Sequence, residues 1–395
     1  VIMPSALFAN PVFQEALAEL EGLGFRVSEK PRPGAKPYGI IGGRSNQRWW
    51  LIPLEDSRLT INGLAMFQPI VASAKVIKSA AIITSKLGLA STFLREKVYI
   101  SGRSDFEDIF SQRFLSYSFF TGTDSPHRKV AVQVMDRNGT IKGFGKVSRN
   151  PAVKPLLAHE AETLNHLHTL GLTTAQTPSA LFCGNIGGVL ALVTDSLKTA
   201  RSKSATTMRE AHVNFLRELA EKTVKPPTAD NGWLIAELSS RYIAVAEILP
   251  LDWRMRFDET LDYLAQEGGY WGPKVLSHGD FTPWNTFFVN DQLYVFDWEY
   301  ANSRYPVGYD LMHFLFSLPP IANQSADRAL AQVRQLLSLV EIDQVNMVED
   351  SFLLGYLCAH SLFYFGREVA AGNELSGWVG GQRAAEYIDC LLKAR

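Results

Sequence analysis

Val275-Leu-Ser-His-Gly-Asp-Phe-Thr-Pro-Trp-Asn285 and, a hairpin later, Val295-Phe-Asp-Trp-Glu299 read as strand, polar loop, strand, turn and strand. Val275 and Leu276 are apolar strand residues. The loop after them presents His278, Asp280 and Asn285. Thr286 to Val289 leaves as a second strand, Asn290-Asp291-Gln292 turns it, and Leu293 to Phe296 returns it as a hairpin. The return delivers Asp297 and Glu299 beside the loop, so a hairpin of fixed length gathers Asp280, Asn285 and Asp297.

Such a set suits phosphoryl transfer. One carboxylate accepts the proton of an attacking hydroxyl or orients it. An Asn and a second carboxylate suit magnesium, a hard cation that prefers oxygen ligands. Alternatively, His278-Gly279-Asp280 is a plain turn and the other acids are solvated hairpin ends; the ordered set on one frame favours the first reading. The order H-G-D-x4-N, then D-x-E after an eleven-residue gap, resembles the aminoglycoside phosphotransferase and choline kinase superfamily. That resemblance implies an α+β, protein-kinase-like bilobal fold with a β-rich N-lobe and a mainly helical C-lobe. It implies ATP (GTP not excluded) with Mg2+, and a small-molecule hydroxyl acceptor such as an aminoglycoside, choline, ethanolamine or a sugar. Asp280 is then the base or hydroxyl-orienting group, and Asn285 and Asp297 are the magnesium ligands. Glu299, two residues beyond Asp297 on an extended segment, is expected on the same side, serving a second metal or the substrate. His278 is expected to brace the loop, and Asp310 to cap a helix and steady the loop. His313 reads as a packed helix histidine rather than a base. Trp284 and Trp298 are expected to exclude water around the ligands.

Upstream, residues 115–120, 128–135 and 141–147 read as three strands, like the opening strands of a kinase-like N-lobe. The turn Thr121-Gly-Thr-Asp-Ser-Pro126 lies where a phosphate-covering loop belongs, and Thr121, Gly122, Thr123 and Ser125 are assigned to nucleotide binding on that resemblance. An ordinary hairpin turn is equally compatible. Lys146 sits in the third strand among apolar neighbours, where it must reach solvent or meet negative partners. The resemblance supplies nucleotide phosphates and a carboxylate on the next helix, Glu160. The alternatives are an edge-strand lysine and a first-turn helix glutamate. Residues 180–183 and 188–194 read as a hairpin leading to a hinge at Leu192 to Leu197.

The expected organisation is a small α/β N-terminal domain over residues 1–110, an N-lobe over 111–197 and a C-lobe over 198–395. The resemblance does not cover the first domain. There, 12–23 is expected as a helix, with short strands at 25–28, 38–41 and 48–53 and a glycine turn at 42–46. A long apolar segment from Ile61 to Leu94 carries Lys75, Lys78 and Lys86. It reads as a core helix with lysines toward solvent, or as a surface helix on a membrane or partner. The C-lobe is expected to hold helices over 207–222, 232–246, 260–266, 326–340, 348–371 and 382–393. Trp253 and Tyr270-Trp271 either line a pocket or pack the lobe.

A net charge of −1 gives no electrostatic reason to expect nucleic acid. Three scattered cysteines fit a reducing compartment better than a disulfide framework, so a cytoplasmic location is expected. No signal peptide and no membrane-spanning run is visible. The competing reading is a catalytically silent nucleotide-binding scaffold whose residues 1–110 dock a partner protein or a membrane surface.

Overall fold

The computed structural model of the protein describes residues 4–43, 47–69, 72–123, 125, 127–225, 232–267, 272–340, 350–370 and 380–393. The chain forms two compact units, residues 1–169 with 177–203 and residues 170–176 with 204–395.

In the first unit, β1 (Phe25–Ser28), β2 (Lys36–Gly43), β3 (Arg48–Pro53), β4 (Lys97–Gly102), β5 (Ser116–Phe120), β6 (Val130–Met135) and β7 (Ile141–Ser148) precede the short β8 (Ala175–Gln176), which belongs to the second unit. β9 (Ala180–Ile186) and β10 (Val189–Asp195) complete the first. These strands, β8 aside, make one nine-stranded antiparallel sheet in the order β1-β4-β2-β3-β5-β6-β7-β10-β9. The expected division at residue 110 does not interrupt this sheet. β3 pairs with β5 through Trp50 opposite Phe120 and Leu51 opposite Phe119, and the Trp50 and Phe120 rings stack at 4.7 Å. The core is shared as well: Phe13, Leu20, Phe25 and Trp49 pack in one cluster with Phe119, Val132, Val147 and Val193. The helix Pro11–Gly22 covers this core with Phe13, Ala16, Leu17 and Leu20, one face at helical spacing. Asn10 caps it by accepting from the Phe13 amide at 3.1 Å, and Pro11 begins it.

The apolar segment from Ile61 is broken into the helix Ser57–Gly63, a single 3-10 turn Leu64–Met66, the helix Ala72–Lys86 and a short helix Ala90–Phe93. Its lysines do not all face solvent, as a simple core helix would require. Lys78 is half-buried and donates to the Phe67 carbonyl at 2.6 Å, while Val76 and Ile83 are exposed.

In the second unit, β11 (Lys274–Ser277) pairs with β14 (Asn302–Pro306), and β12 (Thr286–Val289) pairs with β13 (Gln292–Val295), which β8 joins in parallel. The helices are Glu210–Thr223, Trp233–Ile243, Leu251–Glu267, Tyr309–Ser317, Ala326–Ser338, Asp350–Ala370 and Gly381–Lys393, with a four-residue turn of helix at Pro319–Ala322. The helix expected at 260–266 thus begins at Leu251. Trp253 lies on it, buried against Phe257 and Phe365 at 5.4 and 4.8 Å, so it packs the unit. Tyr270 and Trp271 lie outside the described residues.

Glu218 explains why residues 170–176 belong to this unit. Its carboxylate accepts from the backbone amides and hydroxyls of Thr173 and Thr174 at 2.5–3.0 Å. Burial opposes the charge, but these donors overcome it and hold the carboxyl at about 2. A depressed carboxyl contributes stability above its unfolded value, lost as pH falls through the folded one. Glu218→Ala is therefore expected to cost about 2 kcal/mol at neutral pH. Denaturant titrations of both proteins should show the difference shrinking as pH falls toward 2. The shared sheet yields a second expectation. A chain beginning at residue 111 lacks the strand that pairs with β5 and a large part of the shared core, so it should be insoluble or lack a cooperative thermal transition. A soluble, cooperatively melting product would show that the first 110 residues are separable.

Candidate active site

In the second unit the site is built on the β12–β13 hairpin. Asn290 and Asp291 both have positive φ, 48° and 63°, the two-residue turn whose twist suits a hairpin. The turn pairs Thr286 with Val295, and the Phe296 amide donates to the Asn285 carbonyl at 3.1 Å. Asn285 and the residues after Val295 are thereby held side by side.

The loop from His278 to Asn285 is braced from inside. Asp310 lies in the first turn of the Tyr309–Ser317 helix, and Gly308 occupies that helix's N-cap position. Asp310 points its carboxylate at the loop: Oδ2 accepts from the His278 amide at 2.6 Å and Oδ1 from the Gly279 amide at 3.0 Å. Burial raises the Asp310 carboxyl above its usual range, against the lowering effect of His278 and these amides. His278 is fully buried; its Nε2 donates to the Phe296 carbonyl at 3.0 Å and its Nδ1 accepts from the Asp280 amide at 3.2 Å. Gly279 has φ +81°, and a Cβ there would lie 2.3 Å from the Tyr300 carbonyl oxygen, so the loop needs glycine.

Asp280 is held at both carboxylate oxygens. Asn285 Nδ2 donates to Oδ2, and also to the Asp280 carbonyl, each at 2.9 Å. His313 Nε2 donates to Oδ1 at 3.0 Å. His313 is packed, as expected, but its ring is aimed at Asp280. Its Nδ1 lies 3.0 Å from the Tyr356 hydroxyl. Tyr300 and Tyr364 are pushed up to about 12, first by burial, with the Asp280 charge among the causes, so both stay protonated near neutral pH. Tyr356, His360 and Tyr364 repeat every fourth residue along Asp350–Ala370, one stripe of that helix. That spacing is visible in the sequence, but without the fold it does not reveal which element the stripe meets.

Asp297 has φ +73°, a left-handed conformation that costs a non-glycine residue about 1–2 kcal/mol. The segment is therefore not extended, and strand alternation is not what aims Glu299. The kink nonetheless brings a carboxylate oxygen of Glu299 within 4.8 Å of one on Asp297. Trp298 is fully buried, donates from Nε1 to the Val295 carbonyl and lies 4.4 Å from the His278 ring. Trp284 is 41% exposed.

In the first unit, Lys146 on β7 donates to both carboxylate oxygens of Glu160 at 2.6 Å. Glu160 is 2% exposed on the helix Lys154–Leu170. Thr121 is buried and its hydroxyl engages the Trp49 backbone, with the Trp49 amide donating to it at 3.1 Å. Thr123 Oγ1 accepts from Arg48 Nε at 3.0 Å, and Arg128 Nε donates to the Thr121 carbonyl at 2.8 Å. Gly122 has φ +85°, with the Lys129 carbonyl oxygen 2.4 Å from where a Cβ would stand. Ser125 is exposed. Arg48 and Arg128 border this turn and were not singled out from sequence, since neither stands in a recognisable motif.

The sequence profile of the phosphotransferase enzyme family matches residues 128–340, more than half of the chain. The chain belongs to that family. It divides into a β-rich unit and a mainly helical one. No curated protein matches it by sequence. Several solved structures are similar to it in fold. A thermostable mutant of the aminoglycoside phosphotransferase APH(4)-Ia, with ADP and hygromycin B, is 12% identical with a TM-score of 0.49, covering 73% of this chain and 97% of that one. ADP-bound aminoglycoside phosphotransferase APH(2'')-Ib is 13% identical at 0.45, covering 73% and 95%. A putative fructosamine-3-kinase from Haemophilus somnus 129PT is 11% identical at 0.43, covering 72% and 95%. Among the described residues, no helix is long and apolar enough to cross a membrane.

Gly279→Ala tests the loop geometry of this phosphotransferase. It forces the loop off the Tyr300 carbonyl and is expected to lower phosphoryl transfer about 10²-fold, the size of effect that follows a displacement of about 1 Å in a reacting group. Steady-state ATP consumption measures it. Unchanged turnover would show that the loop tolerates the shift.

Proposed function

We propose that the protein moves the γ-phosphate of ATP to a hydroxyl of a small molecule in a magnesium-dependent reaction. The observation that carries this reading is the Asp280 carboxylate, fixed at one oxygen by Asn285 and at the other by His313, on a loop braced by Asp310. In the reaction the acceptor oxygen bonds to the γ-phosphorus as the bond to the β,γ-bridging oxygen breaks. ADP leaves, and the hydroxyl proton passes to Asp280. Asp280 orients the hydroxyl, and its two fixed hydrogen bonds limit the search for an in-line geometry.

The donor set fits a hard divalent cation. Asn285 spends its amide N–H on Asp280, which leaves its carbonyl oxygen as the ligand atom, and Asp297 and Glu299 add carboxylates close to each other. Asn285 and Asp297 would hold magnesium, with Glu299 on a second ion or on the acceptor. When bound, the ion neutralises charge on the phosphates. Lys146, held by Glu160, is assigned to the nucleotide phosphates, and the turn from Thr121 to Ser125 to their cover through its backbone and Ser125. Thr121 has its hydroxyl committed to β3, which favours a backbone role for it.

A scaffold that binds nucleotide without turnover is the competing reading, and one assay separates the two. ATP consumption is measured with magnesium, alone and with aminoglycosides, choline, ethanolamine and sugars. Stimulation by one acceptor is expected, with Asp280→Asn lowering turnover by about 10²–10⁴-fold while ATP affinity is kept. ATP binding with no turnover on any acceptor, identical in wild type and Asp280→Asn, favours the scaffold.

A further inference from the structure

We infer that His313 is a positioning residue for phosphoryl transfer, acting through Asp280, with the Tyr356 hydroxyl holding its other ring nitrogen. The inference rests on the phosphotransfer reading above and adds to it how the acceptor-orienting carboxylate is aimed.

A carboxylate oxygen can only accept, so the His313 nitrogen 3.0 Å from Asp280 Oδ1 is the one that carries the proton. In the neutral ring the other nitrogen is then an acceptor, and the Tyr356 hydroxyl at 3.0 Å is placed to donate to it. The chain of donors runs from Tyr356 through His313 to Asp280. Tyr356 and His313 are 5% and 4% exposed, so water competes little for either bond. The ring is also clamped. Tyr309 lies parallel to it, at 6.3 Å and 5°, His360 is tilted over it at 4.9 Å, and Tyr356 meets it edge-on at 6.2 Å. A histidine so enclosed has one orientation to offer.

The placement on the helix gives the arrangement its purpose. Asp310 and His313 are one turn apart on Tyr309–Ser317. Asp310 takes the loop's backbone amides, and His313 takes the loop's reactive carboxylate. One rigid element thus sets both the position of the loop and the rotamer of Asp280. Asn285 secures only the Oδ2 side. Without His313 the carboxylate could swing about χ1 and χ2 and lose its line to the acceptor hydroxyl.

The test uses the full chain. The readouts are kcat and KM for MgATP, with water as the acceptor and with whichever compound of the panel stimulates best, plus thermal melting of each variant. His313→Leu is expected to lower kcat about 10–100-fold, the usual loss when a residue that orients a reactive group is removed. KM for MgATP should stay within about 3-fold, because binding is not the interaction removed. His313→Gln restores an N–H donor at a similar reach and is expected to recover most of kcat. Tyr356→Phe leaves the donor in place and should cost less than His313→Leu. If His313→Leu and His313→Gln lose turnover equally, in proportion to a fall in melting temperature, the role is structural and the inference is overturned. It is also overturned if none of the three variants changes kcat. Wild type and Asp280→Asn are run beside them: if these two do not differ in turnover, the phosphotransfer reading itself fails and the inference falls with it. A clear Asp280 effect without a His313 effect sinks the inference alone.

Discussion

The carboxylate of Asp310, buried beneath the loop and accepting the backbone amides of His278 and Gly279, is the interaction on which the second unit's site depends. Two amides in a row are pulled to one side chain, so the backbone must turn sharply, and Gly279 makes that turn in a left-handed conformation with the Tyr300 carbonyl pressed against it. Burying a charge there is unfavourable, as the raised Asp310 carboxyl shows. The two amides and the neighbouring His278 offset that cost only while the loop is in place. Loop and helix therefore stabilise each other, and the residues that follow Gly279 inherit a fixed starting point.

Much of this was legible in the sequence. The strand, loop and hairpin gave the order His278, Asp280, Asn285, Asp297, although the turn read as Asn290 to Gln292 is the two residues Asn290 and Asp291, with Gln292 already paired to Val289. Local chain geometry was enough because the residues lie close together in sequence. His313 and Tyr356 were not legible as partners of Asp280. Both look like core residues at helical spacing, and nothing local says that one helix crosses the loop or that another faces it. Glu299 shows a subtler limit. It was expected beside Asp297 by strand alternation and is found there, but through a left-handed kink at Asp297 that alternation does not describe.

The first 110 residues illustrate the same limit at the scale of the fold. Their strands were mostly recognisable, but β4 was not assigned, and it sits between β1 and β2 in the sheet. Among the described residues, the pairing of β3 with β5 joins segments separated by four helices, a 3-10 turn and β4, and composition does not forecast such a pairing. Its consequence is chemical as well as architectural. Arg48 and Trp49, at the start of β3, bond to Thr123 and Thr121, so the turn between β5 and β6 is shaped in part by residues outside the motif-bearing part of the chain. A strand that supplies both an edge for β5 and hydrogen bonds to the following turn is part of the first unit's structure, and a view of it as a detachable docking module has to account for both.

Orientation rather than basicity is what the arrangement around Asp280 favours. In a loose phosphoryl-transfer transition state the acceptor is only weakly bonded to phosphorus, and catalysis is chiefly positioning and charge stabilisation. A carboxylate held by a single donor keeps a rotational freedom that positioning cannot tolerate. Here a donor stands at each oxygen, Asn285 from within the loop and His313 from the helix that also braces the loop through Asp310. Each oxygen keeps lone-pair capacity for one more partner, so an acceptor hydroxyl can be received without breaking either bond. The same Asn285 that steadies the carboxylate through its N–H group is the proposed cation ligand through its carbonyl oxygen, so a change at that residue should disturb acceptor alignment and metal binding together.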